Sequence, residues 1–222
     1  MAEPRRWSAK RSPDAATSYS SSARSSPKMR PSPGQSLHAS IACGASAPIA
    51  SISICCTGAA TCHWRKRSTP LPELVDAGKI RYWGVSNFDV VDMIELWRLG
   101  GAKVATDQVL YNLTRRGIEY DLMPSCLDRR IPIMAYSPLE QGRLLGHSEL
   151  KNVAARHNAT PAQIALAWLL RQDGVVAIPK AANVAHVQEN HAALELHLTR
   201  EDLAALDRAF PPPTEALPLA ML

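Results

Sequence analysis

The sequence predicts an α/β fold of parallel βα units, half of a (β/α)8 barrel, behind an amino-terminal arm of a different character. From about Leu71 onward, apolar runs of strand length alternate with amphipathic stretches of helical period. That alternation is the pattern of parallel βα units, and four of them make half of a closed barrel, which takes about 250 residues. The second observation is a break in composition. Up to Pro72, ten Lys and Arg face two acids, Glu3 and Asp14; beyond it, fifteen basic residues face eighteen acidic ones. The formal charge of +5 on this 222-residue chain therefore comes from its first third.

The elements follow in order. ELVDAGKIRYWGVSNF reads as a helix end with Gly78 as its C-cap, then a short apolar strand ending at Ser86 and Asn87. DVVDMIELWRLG is an amphipathic helix and ATDQVLYN a second strand. GIEYDLMPSCLDRR is helical, with Pro124 near an end or kink, and IPIMAYSPL is a third strand. SELKNVAARHN is a helix, and TPAQIALAWLLRQ another, with Thr160 as N-cap, Pro161 in the first turn and Gln163 completing a capping box. GVVAIPKA is a fourth strand, VAHVQENHAAL a helix, and LTREDLAALDRAF a last helix opened by Thr199 and Asp202 and stopped by PPP.

Residues 1–70 show neither period. They are Ser, Ala, Pro and Arg with scattered apolar residues, the composition of a disordered basic arm. PIASISICC has the content of a strand but no partner in view. The expected organisation is an arm over 1–70, the barrel half over 71–213 and a tail over 214–222. A basic arm fits nucleic acid, so a non-enzymatic interaction protein is the alternative function. The Arg- and Ser-rich start has the composition of a transit peptide but lacks its apolar face. Cys55, Cys56, Cys62 and His63 crowd together, yet without the paired spacing of a closed four-ligand site, so no metal is expected. Four of the five cysteines lie in the first third and Cys126 is alone in the rest, an odd, lopsided count that does not suggest a disulfide framework. No apolar run approaches the roughly 20 residues of a membrane span, so a cytoplasmic protein without membrane partners is expected.

GKIRYWGVSNF, TDQVLYN, AYSPL and IPKAANVAHVQEN, in this order and spacing, resemble the aldo-keto reductases over residues 71–210. The resemblance implies strands five to eight of a TIM barrel, carbonyl reduction of a small-molecule substrate, and NADP(H) as cofactor. It implies that Ser86, Asn87 and Gln108 hydrogen-bond the nicotinamide carboxamide, which needs both donors and acceptors. Tyr136 would stack on the nicotinamide ring, and Ser137, Pro138 and Leu139 would lie along the pyrophosphate. Lys180 would meet the 2′-phosphate, and Glu189 and Asn190 the adenine. His186 stands where the family often has Arg, and Ala181 where a hydroxyl residue is common, which puts the preference for NADPH over NADH in question.

The same resemblance locates the chemistry that is missing. The family's proton-donating Tyr, the Lys and Asp that tune it, and a substrate-orienting His belong to strands two to four. Here that region is residues 1–70, so no catalytic residue is assigned. These residues read as an out-of-frame translation. The codons ATC GAT CTC TAT CTG CTG CAC TGG encode IDLYLLHW, a fourth strand of the family's kind. Read one base later they begin SISICCT, and continued over 51–69 the shift yields SISICCTGAATCHWRKRST. SYSSSARSSPKMR likewise arises from a frame reading ELFLVSKVLP, whose VSK is the family's strand-three Lys motif. Strand codons have T in the middle; one base out of step that T opens Ser, Cys, Tyr and Trp codons. Read so, Cys55, Cys56, Cys62, His63 and the basic charge are accidents of frame, and nucleic acid is not an expected partner. The expected protein is a reductase by descent, its cofactor binding weakened or lost and its catalysis absent. An active enzyme follows if the gene itself keeps the frame. Half a barrel also leaves open edges, which favours marginal stability, aggregation or self-association of half-barrels.

Overall fold

The computed structural model describes the backbone of residues 52–56 and the chain over residues 70–98 and 103–222. Of the expected disordered arm over 1–70, residues 1–51 and 57–69, with Cys62 and His63, lie outside the described residues.

Five strands form one parallel sheet in chain order: β1 (Ile52–Cys56), β2 (Tyr82–Ser86), β3 (Asp107–Leu110), β4 (Ile133–Tyr136) and β5 (Val175–Ile178). Each pairs with the next. Parallel neighbours require a crossover, and helices supply it. Helix α1 (Pro70–Asp76) precedes β2, α2 (Val90–Arg98) joins β2 to β3, and α3 (Leu122–Asp128) joins β3 to β4. Helices α4 (Ser148–Arg156) and α5 (Pro161–Leu170) lie between β4 and β5, and α6 (Val184–Ala192) and α7 (Arg200–Ala209) follow β5. The four strands read from the sequence are β2 to β5. The fifth corrects the reading that ISICC has no partner: its backbone runs alongside β2 from Ile52↔Tyr82 to Cys56↔Ser86. Ile52 and Ile54 are β-branched, which suits an extended chain whatever frame produced them.

The registers climb across the sheet. Ser86 pairs with Gln108, Gln108 with Met134, Leu110 with Tyr136, and Tyr136 with Ile178. Strands tilted for a barrel stagger in this way. Gly84 permits the closest step: a Cβ there would come within 2.7 Å of both the Thr106 backbone oxygen and its methyl.

Local chemistry fixes the helix ends. Gly78, at φ +66, closes α1 as expected, its N–H donating to the Val75 carbonyl at 2.9 Å. Thr160 with Gln163, and Thr199 with Asp202, form complete capping boxes. The helix expected over GIEYDLMPSCLDRR is instead a 3₁₀ turn (Gly117–Glu119) followed by α3, because the Asp121 carboxylate accepts the Leu122 N–H at 2.7 Å and starts the helix anew. Pro124 then falls in the first turn of α3, where a missing N–H costs nothing.

The core lies between the sheet and its helices. Residues 164–169 of α5 are all buried, with Trp168 at the centre and Tyr111, Leu150 and Leu206 also sealed. The Arg116 guanidinium sits 5.0 Å from the Trp168 ring and pairs with Glu119 at 2.9 Å and Asp207 at 2.7 Å. Asp202 ties α7 to α4, accepting from Arg156 at 2.7 Å and meeting His157 Nε2 at 2.6 Å. The β5 end is thinner. Val176 is 48% exposed and α6 has no buried residue, whereas residues 83–86 of β2 are all buried.

Two outcomes are expected. Gly84→Ala destabilises by about 1–3 kcal/mol through overpacking against backbone, while Gly146→Ala, whose Cβ would meet nothing within 4 Å, stays within about 0.5 kcal/mol; urea unfolding of both compares them. For Asp202, burial opposes ionisation, but hydrogen bonds from His157, the Thr199 N–H and Arg156 outweigh it and hold the carboxyl below the ordinary range. A depressed folded pKa contributes stability above the unfolded value of about 3.8 and loses it as pH falls through the folded value. Thermal melts between pH about 7 and about 2 should therefore slope more steeply in the native chain than in Asp202→Asn.

Candidate functional site

The carboxyl end of the sheet gathers the polar residues that the sequence singled out. Ser86 ends β2 and is buried, and its hydroxyl donates to the Gln108 backbone carbonyl at 2.9 Å. The Asn87 N–H donates to that same carbonyl at 2.9 Å. Asn87 then turns into the left-handed region at φ +56. Non-glycine residues rarely adopt that backbone, and Asn tolerates it best. The turn aims the Asn87 side chain across β3 toward β4, where the Tyr136 hydroxyl donates to Asn87 Oδ1 at 3.2 Å. Burial pushes the Tyr136 hydroxyl up from its ordinary pKa, which keeps it a donor. Ser86, Asn87, Gln108 and Tyr136 thus form one connected group spanning three strands. Gln108 stands before the end of β3. It is the second residue of β3, brought level with Ser86 by the stagger of the ladder.

Beyond β4 the chain makes a second strained turn. Ser137, Glu140 and Gln141 have φ of +51, +47 and +56. Its support comes from residues the sequence reading passed over. Asn112 donates through Nδ2 to the Ser137 carbonyl at 2.9 Å and to Glu140 Oε2 at 2.8 Å. Glu140 is buried and pairs with Arg115 at 3.0 Å and Arg143 at 3.2 Å. Burial works against its charge, but Arg115, Asn112 and Arg143 win and hold its carboxyl below the usual range. Pro138 is buried in this turn, and Leu139 packs against the core.

The remaining candidates stand apart from this group. Lys180 is exposed just past β5, and Glu189 and Asn190 are half-buried on α6. Gln163 donates to the Glu189 carbonyl at 3.3 Å, so α6 is anchored to α5 at the place where those two side chains emerge. The segment read as a plain tail also reaches the site. Leu217, Pro218, Leu219 and Ala220 line a cleft with Val90, Arg115 and Leu122, and the Leu222 N–H faces the Tyr136 hydroxyl. Among the described residues, no group of three or more His, Cys, Asp or Glu side chains could hold a metal, and no helix is long and apolar enough to cross a membrane.

The sequence reading also missed Asp107. It precedes Gln108, is fully buried, and neither of its carboxyl oxygens has a hydrogen-bond partner among the described residues. A lone Asp in a strand carries no sequence signal of its own.

Methylglyoxal reductase YeaE of Escherichia coli K12 is 51% identical over 158 residues, covering 68% of this chain and 56% of the relative. Glyoxal reductase of Bacillus subtilis 168 is 37% identical, covering 66% of this chain and 54% of the relative. An aldo-keto reductase from Klebsiella pneumoniae, crystallised with NADPH, is 50% identical with a TM-score of 0.68, covering 70% of this chain and 57% of the other. The chain thus spans about half the length of the curated relatives it matches. A profile of the aldo/keto reductase family matches residues 56–210, strands β2 to β5 and all ten candidate residues included, so the chain belongs to the aldo/keto reductase family.

Proposed function

We propose that this chain is the cofactor-holding half of an NADP(H)-dependent carbonyl reductase that lacks its proton donor as written. The observation that carries the proposal is the connected group of Ser86, Asn87, Gln108 and Tyr136. Its donor set fits a carboxamide. The Asn87 amide nitrogen and the Ser86 oxygen keep free hydrogen-bonding capacity, and the half-buried Gln108 carboxamide has no side-chain hydrogen bond among the described residues. Tyr136 adds a ring face beside them. Ser137, Pro138 and Leu139 would follow the pyrophosphate along the strained turn, and Lys180, with Glu189 and Asn190, would take the 2′-phosphate and adenine.

When bound, NADPH supplies a hydride to a carbonyl carbon. The carbonyl oxygen then needs a proton, and the family's donor belongs to a part of the barrel that residues 1–70 spell only in the neighbouring frame. The backbone of Ile52–Cys56 supports that frame reading. It lies parallel beside β2, where the preceding strand of a barrel belongs, and back-translation of these residues admits codons that spell strand-like DLYLL in the neighbouring frame. The relatives' names suggest a small 2-oxoaldehyde as substrate for the frame-restored protein.

The purified chain is expected to bind NADPH, measured by fluorescence titration. Asn87→Ala and Tyr136→Ala should each weaken binding about tenfold, the loss of roughly 1.4 kcal/mol of hydrogen bonding and stacking. Unchanged affinity in both would remove the site. In a second experiment, NADPH oxidation with methylglyoxal is compared between the chain as written and a version carrying one restored base. Turnover is expected only in the second, and turnover by the chain as written would overturn the claim of a missing donor.

A further inference from the structure

Asn112 and Glu140 support the turn that leaves β4, and neither side chain is among those that would touch the cofactor. Asn112, two residues past β3, is sealed from solvent and uses its whole carboxamide. Its Nδ2 donates to the Ser137 carbonyl at 2.9 Å and to Glu140 Oε2 at 2.8 Å; its Oδ1 accepts from the Thr114 N–H at 2.9 Å and the Thr114 hydroxyl at 2.8 Å. The Ser137 carbonyl accepts a second bond, from the Glu140 N–H at 3.0 Å, and the Gly142 N–H donates to the Leu139 carbonyl at 2.8 Å. Along this turn the backbone is left-handed at Ser137, Glu140, Gln141 and Gly142. Three of the four are not glycine, so the turn persists only where its surroundings over-determine it. The Leu139 N–H, in its middle, donates to no backbone carbonyl among the described residues. Glu140 is buried, and two guanidiniums share its Oε1: Arg115 at 3.0 Å and Arg143 at 3.2 Å, both well exposed. Two positive charges against one negative leave the edge of the turn positive, which suits an anion.

We propose that Asn112 and Glu140 are positioning residues, which together clamp the left-handed turn at Ser137–Gln141 in the shape that meets a pyrophosphate. That the anion is the cofactor's pyrophosphate rests on the cofactor reading; that the pair sets the turn rests on the hydrogen bonds alone. Asn112 brings two donors. One fastens the backbone carbonyl where the turn begins, and the other fastens the carboxylate where it bends back. Glu140 completes the clamp because a carboxylate accepts on both oxygens, Oε2 from Asn112 and Oε1 from the arginines. The Arg115 N–H also donates to the Asn112 carbonyl at 3.0 Å, so the loop after β3 and the turn after β4 form one hydrogen-bonded piece. Asp at position 112 keeps the shape but replaces the two donors with an acceptor, setting oxygen against the Ser137 carbonyl and charge against Glu140. Glu140→Gln leaves one acceptor oxygen in place of two, enough for Asn112 or for the arginines but not for both.

The first arm of the test reads the turn without cofactor. Left-handed backbone brings the amide and α protons of one residue together, so each such residue gives a strong NOE between them. Ser137, Glu140 and Gln141 should show it in the native chain and lose it in Asn112→Asp, while the amides of the capping boxes at Thr160 and Thr199 keep their native shifts. Glu140→Gln carries the same reading if Asn112→Asp does not fold. Native NOE intensities at all three positions in the variants overturn the proposal. The second arm, resting on the cofactor reading, compares 2′-phospho-ADP-ribose, which holds the pyrophosphate, with 2′,5′-ADP, which ends at one phosphate. Each variant should bind the first about tenfold more weakly and the second within about twofold of the native chain. A general loosening of the fold weakens both ligands alike. Equal losses, or none, therefore overturn the role at the pyrophosphate. If the NOEs respond while neither ligand binds the native chain, the cofactor reading fails and the clamp on the turn stands.

Discussion

The backbone carbonyl of Gln108 is the joint on which the candidate site depends. It accepts from the Asn87 N–H and from the Ser86 hydroxyl at once, both at 2.9 Å. A parallel ladder brings that carbonyl to the end of β2 only if the two strands hold one register, and Gly84 lets them close to the distance this needs. A slip of one residue would turn Gln108 to the helix side and Asp107 to the site. The register therefore decides at once which side chain faces the candidate site and which is sealed in the core.

The strained turns are affordable because the layers beneath them are rigid. Asn87 and Ser137 hold left-handed backbone at the ends of β2 and β4. Such residues persist where surrounding structure over-determines them. Around Ser137 that structure is the cluster of Asn112, Glu140 and Arg115; around Asn87 it is the Gln108 carbonyl and the Tyr136 hydroxyl. Farther out, Arg116 and Asp202 fasten the last helix to the rest of the helical layer. Among the described residues, the buried charges of Arg116, Glu140 and Asp202 are each shared by several partners.

Much of this was legible in the sequence because local chemistry and tertiary placement agree. Thr160 with Gln163, Thr199 with Asp202, and Gly78 announce helix ends that need no distant contact to explain them. Ser86, Asn87, Gln108 and Tyr136 were legible through the motifs around them. The sequence was silent where meaning arises only from packing. Asn112 and Glu140 are separated by 28 positions, and nothing short of the fold joins them. Asp107 looks like any polar residue beside a strand until its burial is seen. The division of the helix at Asp121 turns on one side-chain acceptor that a periodic pattern does not register. ISICC was misjudged because a strand's partner lies in its neighbours rather than in itself.

The sparsely covered β5 gives the sheet a polarity. Val176 stands half in the open, and β4 alone bonds to β5 among the described strands. Because every pairing inside the sheet is parallel, the barrel's own way of adding a strand there runs it in the same direction. Such a strand cannot arrive by a tight hairpin; it needs a long return path through a covering helix. A closed barrel avoids that path, because its last strand pairs with its first and the seam is held by ladder hydrogen bonds alone, with no connection running across it.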